Sequence, residues 1–386
     1  MIDIRPCFGD AYFDEDIMWY FDNSIFSLCR MNLKTGKVDI LAVYTGERTF
    51  GARRIFANKG VLFITAYNSS DILKYSKSEN KIDVLKNVQE TFLPEYLHNF
   101  YDYHMCIEDK IWFFSTYYEK PVYYFDMQTE QFYQDDILNK YISKHIEKGK
   151  IAALYANGYK DCYWTALYNT NIFIKHSLKD RSIEEFKIVD ANIHLNAICY
   201  DGEKIWLTQS DNGNIICIEK SGKIINIFEG ISNGVGKEFS KIINTRDRIV
   251  VLPRLGDTLL LIDKKDMKMR KVNLTEMDLD YVSSKHGWAK ILNCLELEDK
   301  LFFLPWGLDS LFTIGRSGSE LKKIEISYLE SELMSIMLNR EKSISESQDI
   351  SLECLVKYSM LLDRKVVHDE NLVGKKIFDG MHKLCE

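Results

Sequence analysis

Short runs of apolar residues recur along the first 327 residues of the chain, and turn-forming residues separate them. The stretch from His194 to Phe228 shows the pattern most clearly. It contains an Asp-Gly turn, a Ser-Asp-Asn-Gly turn and a Ser-Gly turn. Short runs bounded by such turns predict β-strands that pair in antiparallel order. The four predicted strands cover residues 194–200, 205–208, 214–219 and 223–228.

This unit of four strands recurs seven times. The second strand of each copy carries one bulky residue, and successive bulky residues are 44, 49, 52, 42, 44 and 52 positions apart. A period of about 40–50 residues with four short strands is typical of a β-propeller blade. We call these seven positions the column and predict that they pack between neighbouring blades. The column consists of Trp19, Phe63, Trp112, Trp164, Trp206, Val250 and Phe302.

The predicted fold class is therefore all-β, a seven-bladed β-propeller over residues 1–327. The alternative is an unrelated run of hairpins in a β-sandwich. The ring has two possible closures, in which residues 1–5 pair with the last blade or the first and last blades pack together. Residues 328–386 lose the strand pattern and gain helical spacing, which predicts a helical C-terminal extension.

Composition narrows the classes of partner. The chain has 386 residues, of which 46% are hydrophobic and 28% charged, and its net charge is −7. A chain of this length can bury a large core when its repeats are arranged around a ring. No segment has the dense cationic stripe that nucleic acid or an anionic membrane attracts, so neither is expected as a partner.

The compartment is predicted from the start of the chain and its cysteines. Residues 1–6 resemble no signal peptide, and no apolar run approaches the roughly 20 residues of a membrane helix. The nine cysteines are scattered singly, without a CxxC pair. Reduced thiols in the cytoplasm are the simplest interpretation. No cofactor and no metal is predicted.

The loops between second and third strands are predicted to surround the mouth of the central channel, together with the segments that lead into the first strands. Propellers usually bind ligands on this face. Aromatic rings beside hydrogen-bonding groups suit a peptide or a sugar, because rings supply apolar area at low entropic cost. The alternative is that these side chains wedge between blades. The candidate binding residues are Arg53, Tyr67, Tyr117, Tyr168, Asn196, Arg254, Trp288, Asn293 and Trp306.

Catalytic chemistry has weaker support in the sequence. No phosphate loop, nucleophile elbow, HExxH or EF-hand motif is present. His104 and His286 are the candidates for acid–base or metal chemistry near the channel mouth, with Asp102 beside the first. A single histidine is more often structural.

The repeat over residues 201–228, with its Asp-Gly-x-x-Ile-Trp-x-Thr strand and following Gly-x-Ile hairpin, resembles the β-propeller superfamily. It is similar to the streptogramin-lyase-like and kelch/YVTN-like groups, loosely over residues 7–327 and closely over this one blade. The resemblance implies the fold more than an activity. Streptogramin lyases open a cyclic depsipeptide ester with a metal and a His/Glu cluster, and that cluster has no match in this sequence.

Two functions of different classes follow. The first is a non-catalytic binding module whose polar and aromatic face binds a peptide, a protein or a glycan, with a scaffold role inside an assembly. The second is a lyase or hydrolase acting at the channel mouth, with or without a metal. The missing motifs favour the binding module.

Overall fold

The predicted repeats fold as seven antiparallel sheets of four strands each. In every sheet the strands lie side by side in chain order, so each blade is a simple meander. The computed structural model describes residues 6–7, 9–44, 51–66, 70–87, 103–114, 121–145, 154–167, 170–188, 193–209, 212–230, 239–253, 256, 258–274, 291–305, 308–315, 321–329, 331–333 and 335–336.

Blades one to four contain strands β1 to β16. Their bounds are β1 Ala11–Asp14, β2 Ile17–Asp22, β3 Ser27–Asn32, β4 Lys37–Val43, β5 Ala52–Asn58, β6 Val61–Ala66, β7 Ile72–Ser76, β8 Lys81–Leu85, β9 Tyr103–Ile107, β10 Lys110–Phe114, β11 Tyr123–Asp126, β12 Gln131–Gln134, β13 Leu154–Tyr159, β14 Cys162–Leu167, β15 Ile172–Ser177 and β16 Ile183–Lys187.

Blades five to seven contain strands β17 to β28. Their bounds are β17 Leu195–Tyr200, β18 Ile205–Gln209, β19 Ile215–Ile218, β20 Ile224–Phe228, β21 Phe239–Asn244, β22 Arg248–Pro253, β23 Thr258–Asp263, β24 Met269–Asn273, β25 Ile291–Leu297, β26 Lys300–Pro305, β27 Ser310–Gly315 and β28 Leu321–Glu325.

The column packs between blades, as the sequence predicts. Every member is at most 7% exposed. Each one lies in a cluster with core residues of the following blade: Trp206 of blade five packs with Ile249 and Val251 of blade six, for example. Phe302 of blade seven packs with Met18 of blade one, which completes the circle. Seven such clusters hold seven blades together, and burial of apolar area is the main stabilising term at each interface.

The ring closes through a strand that the sequence analysis does not predict. Blades seven and one pack together, which is the second of the two expected closures, and the chain then continues onto blade one. Residues Ser327–Tyr328 form β29, which pairs in parallel with β4 and becomes a fifth strand of that sheet. We call it the closing strand. The other expected closure involves residues 1–5, which lie outside the described residues.

Side-chain hydrogen bonds anchor the closing strand in the core of blade one. The Tyr328 hydroxyl donates to Asp22 Oδ2 over 2.6 Å and lies 2.9 Å from the Tyr20 hydroxyl. The other carboxylate oxygen of Asp22 accepts the Cys7 amide and the backbone and hydroxyl groups of Ser24. This fully buried carboxylate is thereby satisfied on both oxygens, as a buried charge requires.

One helix lies between blades three and four, where the sequence analysis predicts none. Helix α1 covers Asp136–His145, and Asp135 caps it by accepting the amide of Leu138 over 3.1 Å. Leu138 and Ile142, four residues apart, bury one face against blades three and four. The predicted C-terminal helices lie almost wholly outside the described residues; Leu333 is buried among core residues of blades seven and one.

Candidate functional site

The first strand of each blade lies at the centre of the ring. Strands β9, β13, β17 and β21 contact one another in succession, whereas the fourth strands lie at the far edges of their sheets. The first strands therefore form the wall of a central channel. Their beginnings share one mouth with the loops between second and third strands, because the first two strands of a blade are antiparallel.

The pairing of first with second strands places one residue of every blade at the same height in this wall. Arg54 pairs with Thr65, two positions past the column residue Phe63, and the same relation holds around the ring. Each of these residues stands nine positions before its column residue. We call them the inner ring: Asp10, Arg54, Tyr103, Tyr155, Ala197, Lys241 and Asn293.

Four members of the inner ring are linked by polar contacts across consecutive blades. Arg54 Nε of blade two lies 2.8 Å from Asp10 Oδ2 of blade one. The Asn293 amide of blade seven donates to Asp10 Oδ1, and Lys241 Nζ of blade six donates to Asn293 Oδ1 over 2.7 Å. A continuous chain of contacts thus runs from blade two through blades one and seven to blade six.

β-bulges add further polar side chains to this wall. The register of the first strand shifts at the same height in blades two, five, six and seven, and the extra residue is Arg53 in blade two and Asn196 in blade five. Bulges re-aim a side chain out of the pleat. The Asn196 amide donates to the Phe239 carbonyl of blade six over 2.7 Å. We call Asp10, Arg53, Arg54, Asn196, Lys241 and Asn293 the polar belt.

The polar belt is rich in positive charge although the chain is acidic. It contains three cationic side chains and one carboxylate. Burial lowers the pKa of Lys241 well below its ordinary value, and Arg54 and Arg53 lower it further while Asp10 opposes them.

Four of the predicted site residues are described. Arg53, Asn196 and Asn293 lie in the polar belt, which brings together three residues that the sequence places in different blades. Their role in binding remains a prediction. The other candidates lie outside the described residues; they are Tyr67, Tyr117, Tyr168, Arg254, Trp288 and Trp306 for binding, and Asp102 and His286 for catalysis.

The fourth described residue, His104, is buried rather than open to the channel. Its side chain is 1% exposed, its Nδ1 lies 2.8 Å from Thr65 Oγ1, and its ring contacts the Phe113 ring edge-on. This position connects blades two and three. The contacts of His104 with described residues are those of a side chain packed between two blades, so they favour a structural role.

The candidate binding residues predicted from the sequence miss three members of the polar belt, Asp10, Arg54 and Lys241. None of the three lies in a motif: Asp10 immediately precedes β1, and the other two are each the third residue of a first strand. The signal that identifies them is the fixed offset of nine residues before the column, because it converts seven separate strands into one height on the channel wall. Applied to the sequence, that offset selects Asp10 and Lys241 together with Arg54 and Asn293.

Buried histidines predict a loss of stability in mild acid. Burial lowers the pKa of His104 well below its ordinary value, and Arg53 and Arg54 lower it further. Burial also lowers the pKa of His176, although the nearby carboxylate of Asp135 opposes this. The unfolded chain then binds protons that the folded chain does not. The stabilising contribution of each histidine is fully present above the unfolded-state histidine pKa of about 6.5 and is lost as the pH falls below it. For His104 the slope approaches about 1.4 kcal/mol per pH unit, because its folded-state pKa is held well below 6.5.

Urea unfolding at pH values from 7.5 to 5 tests this expectation. The variant His104→Asn keeps an amide near the position of Nδ1 as a partner for Thr65, and it should reduce the slope of stability against pH by about 1.4 kcal/mol per unit below pH 6.5. Equal slopes in wild type and His104→Asn would show that His104 is not held neutral by burial.

The described residues contain no group of three or more His, Cys, Asp or Glu side chains placed to hold a metal ion. They also contain no helix that is long and apolar enough to cross a membrane.

Comparison with known proteins shows the fold and no family. Neither a protein-family model nor a curated protein matches the chain. Virginiamycin B lyase from Staphylococcus aureus is similar in structure, with a TM-score of 0.56 and 12% identity over 78% of this chain and 92% of the lyase. YCF48 bound to D1 peptide has a TM-score of 0.55 and 9% identity, over 79% and 91% of the two chains.

A third similar structure is an extracellular domain. The extracellular domain of a hybrid two component system from B. thetaiotaomicron has a TM-score of 0.54 and 16% identity, over 83% of this chain and 43% of that one. Structural similarity at such low sequence identity shows the fold alone, because one architecture hosts many unrelated functions.

Proposed function

Because this chain is a seven-bladed β-propeller, we propose that it is a non-catalytic binding module that holds a peptide or protein partner at the channel mouth lined by the polar belt. The observation that carries the proposal is the belt itself. Its charged side chains lie on the inner wall, where Asp10 is buried and the three cationic side chains are half-buried. Charges kept in a partly dehydrated place at a cost in stability are typical of binding sites.

The position of the belt supports a partner that enters from one side. Its residues lie at or near the beginnings of the first strands: Arg54, Lys241 and Asn293 are each the third residue of their strand. That mouth is also the one surrounded by the loops between second and third strands, which supply the predicted aromatic residues. Hydrogen-bonding groups suit a peptide and a glycan alike, but the charged side chains of the belt can pair with the charged groups of a peptide, so a neutral glycan is the second choice of ligand. The YCF48 structure, a propeller of similar shape, holds a peptide.

The alternative of a lyase or hydrolase has less support from the described residues. Of its three candidate residues, only His104 is described, and it is buried against Thr65 and Phe113. The similarity to virginiamycin B lyase carries the fold alone, at 12% identity. We therefore propose binding without catalysis.

We also propose a reducing compartment, the cytoplasm, as the place of action. No disulfide joins any two of the seven described cysteines, and five of them are buried in the blades. Burial raises the pKa of Cys199, Cys217 and Cys294, which keeps these thiols protonated and unreactive.

Photo-crosslinking from the two faces of one blade tests the proposed function. Asn212 is exposed in the loop between β18 and β19, at the channel mouth of blade five, and Glu203 is exposed in the turn on the opposite face of the same blade. A photoreactive amino acid at position 212, in the full chain expressed in its native cells, should give a discrete adduct with a protein or peptide.

The matched probe at position 203 should give none. Each labelled protein should first show the unfolding midpoint of the wild type, so that the comparison concerns the face alone. Adducts from position 203 only, or from neither position, would contradict a binding module that works through the channel mouth.

A further inference from the structure

The polar belt contains a carboxylate site that the chain fills itself. Asp10 is 5% exposed, and its two oxygens are held separately by Arg54 and by the Asn293 amide. The arrangement shows that the inner wall can hold a carboxylate between a guanidinium of one blade and an amide donor of another. Asp10 is the only carboxylate of the polar belt, and it is paired with Arg54. The other two cations of the belt therefore have no carboxylate within the belt to pair with.

The first of these cations is Arg53. Its guanidinium forms no ion pair with any described residue, and it lies at a bulge, half-buried in the channel wall. A guanidinium presents five N–H donors in a planar fork that matches the two oxygens of a carboxylate. A free fork of this kind inside a channel is a site for an anion.

The second cation is Lys241. It donates one hydrogen bond to Asn293, and an ammonium group has three N–H donors, so two remain for another acceptor. The chain of contacts through Asn293 and Asp10 joins Lys241 to Arg54, the residue that follows Arg53 in β5, so Lys241 and Arg53 border the same part of the channel. Both side chains are half-buried and their positive charges repel each other, and an anion placed between them would offset that repulsion.

We propose that Arg53 and Lys241 bind a carboxylate of the partner, as an aspartate or glutamate side chain or a peptide C-terminus, in the channel mouth. This inference rests on the proposed binding function and gives it a chemistry: the partner presents an acidic group to a cationic site in an acidic protein. The acidic outer surface would repel the remainder of a strongly acidic partner, so binding is confined to a partner whose negative charge reaches the belt.

Thermal unfolding of the full chain in the presence of simple anions tests the site directly. Glutarate, a dicarboxylate, is the probe; glutaramide, its uncharged analogue, and inorganic phosphate are the comparisons, all at one ionic strength. A ligand that binds the folded state alone raises the unfolding midpoint with its concentration. Glutarate should raise the midpoint of the wild type by about 2 °C at a concentration near ten times its Kd, and glutaramide should leave it unchanged.

Variants identify the residues responsible. Arg53→Gln should abolish the response to glutarate while the fold is kept, because its guanidinium has no ion pair to lose. Lys241→Met should raise the glutarate concentration that gives half of the maximal response at least tenfold. Lys265→Gln, which removes an exposed cation in the turn before β24, should respond as the wild type does.

Three results would overturn the proposal. An equal response of wild type and Arg53→Gln would show that anions act elsewhere on the chain. A response to glutaramide as large as that to glutarate would remove the role of charge. Stabilisation by phosphate without stabilisation by glutarate would assign the site to a phosphorylated group. Crosslinks from position 212 together with a failed glutarate response would keep the binding function and reject only its carboxylate chemistry.

Discussion

Gly36→Ala is expected to lower the free energy of unfolding by about 4 kcal/mol, since it combines backbone strain with a clash at the ring closure. Gly36 lies in the turn between β3 and β4 with a φ of +70°. A Cβ added there would overlap the carbonyl oxygen of Glu325 and lie 3.1 Å from its carbonyl carbon. The carbonyl of Gly36 also accepts the amide of Ser327, so a shift of either segment displaces the closing strand.

Gly60→Ala is the matched control for this prediction. Gly60 has a φ of +82° in the turn between β5 and β6, and an added Cβ would meet nothing within 4 Å. Its substitution should cost about 1 kcal/mol, from backbone conformation alone. Urea unfolding of the two variants measures the difference. Equal losses would mean that the crossing of residues 325–327 over the turn adds nothing to stability.

Trp206→Ala is expected to destabilise the protein by about 4 kcal/mol, and Trp164→Ala by a similar amount, because each removes a large side chain from a blade interface. Both indoles are at most 1% exposed. Since the ring shares its stability among seven interfaces, a cavity at one of them loosens the two blades that it joins and the closure with them. The measurement is the urea midpoint of each variant.

Substitutions to phenylalanine separate packing from hydrogen bonding at the same two sites. The Trp206 indole N–H donates to Asp201 Oδ2 over 2.7 Å, whereas the Trp164 indole N–H has no hydrogen-bond partner among the described residues. Trp206→Phe should therefore be more costly than Trp164→Phe by about 1 kcal/mol, the net value of such a bond. The reverse order would show that shape, and not the bond to Asp201, sets the cost in the column.

Much of the fold could be predicted because a propeller repeats one local rule. A hairpin register depends on its own turn and on alternation of apolar side chains, both of which are visible in sequence. The column from Trp19 to Phe302 therefore predicted the second strand of every blade and its packing. Helix α1 was missed because its apolar face is short and it lies in a connection rather than in a repeat.

The candidate site was predicted only in part, for a reason of distance along the chain. Arg53, Asn196 and Asn293 were selected one by one from segments leading into first strands. Their neighbours in space, Asp10 and Lys241, come from other blades, and Asp10 and Asn293 are 283 residues apart. No local pattern records such a pairing; it requires the ring to be closed.

The sequence by itself determined the strand order, the number of blades and the residues that separate them, because these depend on contacts between positions close along the chain. The tertiary structure alone decided how the ring closes and which charges meet in the channel. Closure brings the strand after the last blade, Ser327–Tyr328, against β4 near the beginning of the chain, and it places a cation of blade six beside an amide of blade seven. Those contacts depend on how far each of the seven sheets is rotated relative to the one before it. The total rotation cannot be predicted from any single stretch of the sequence.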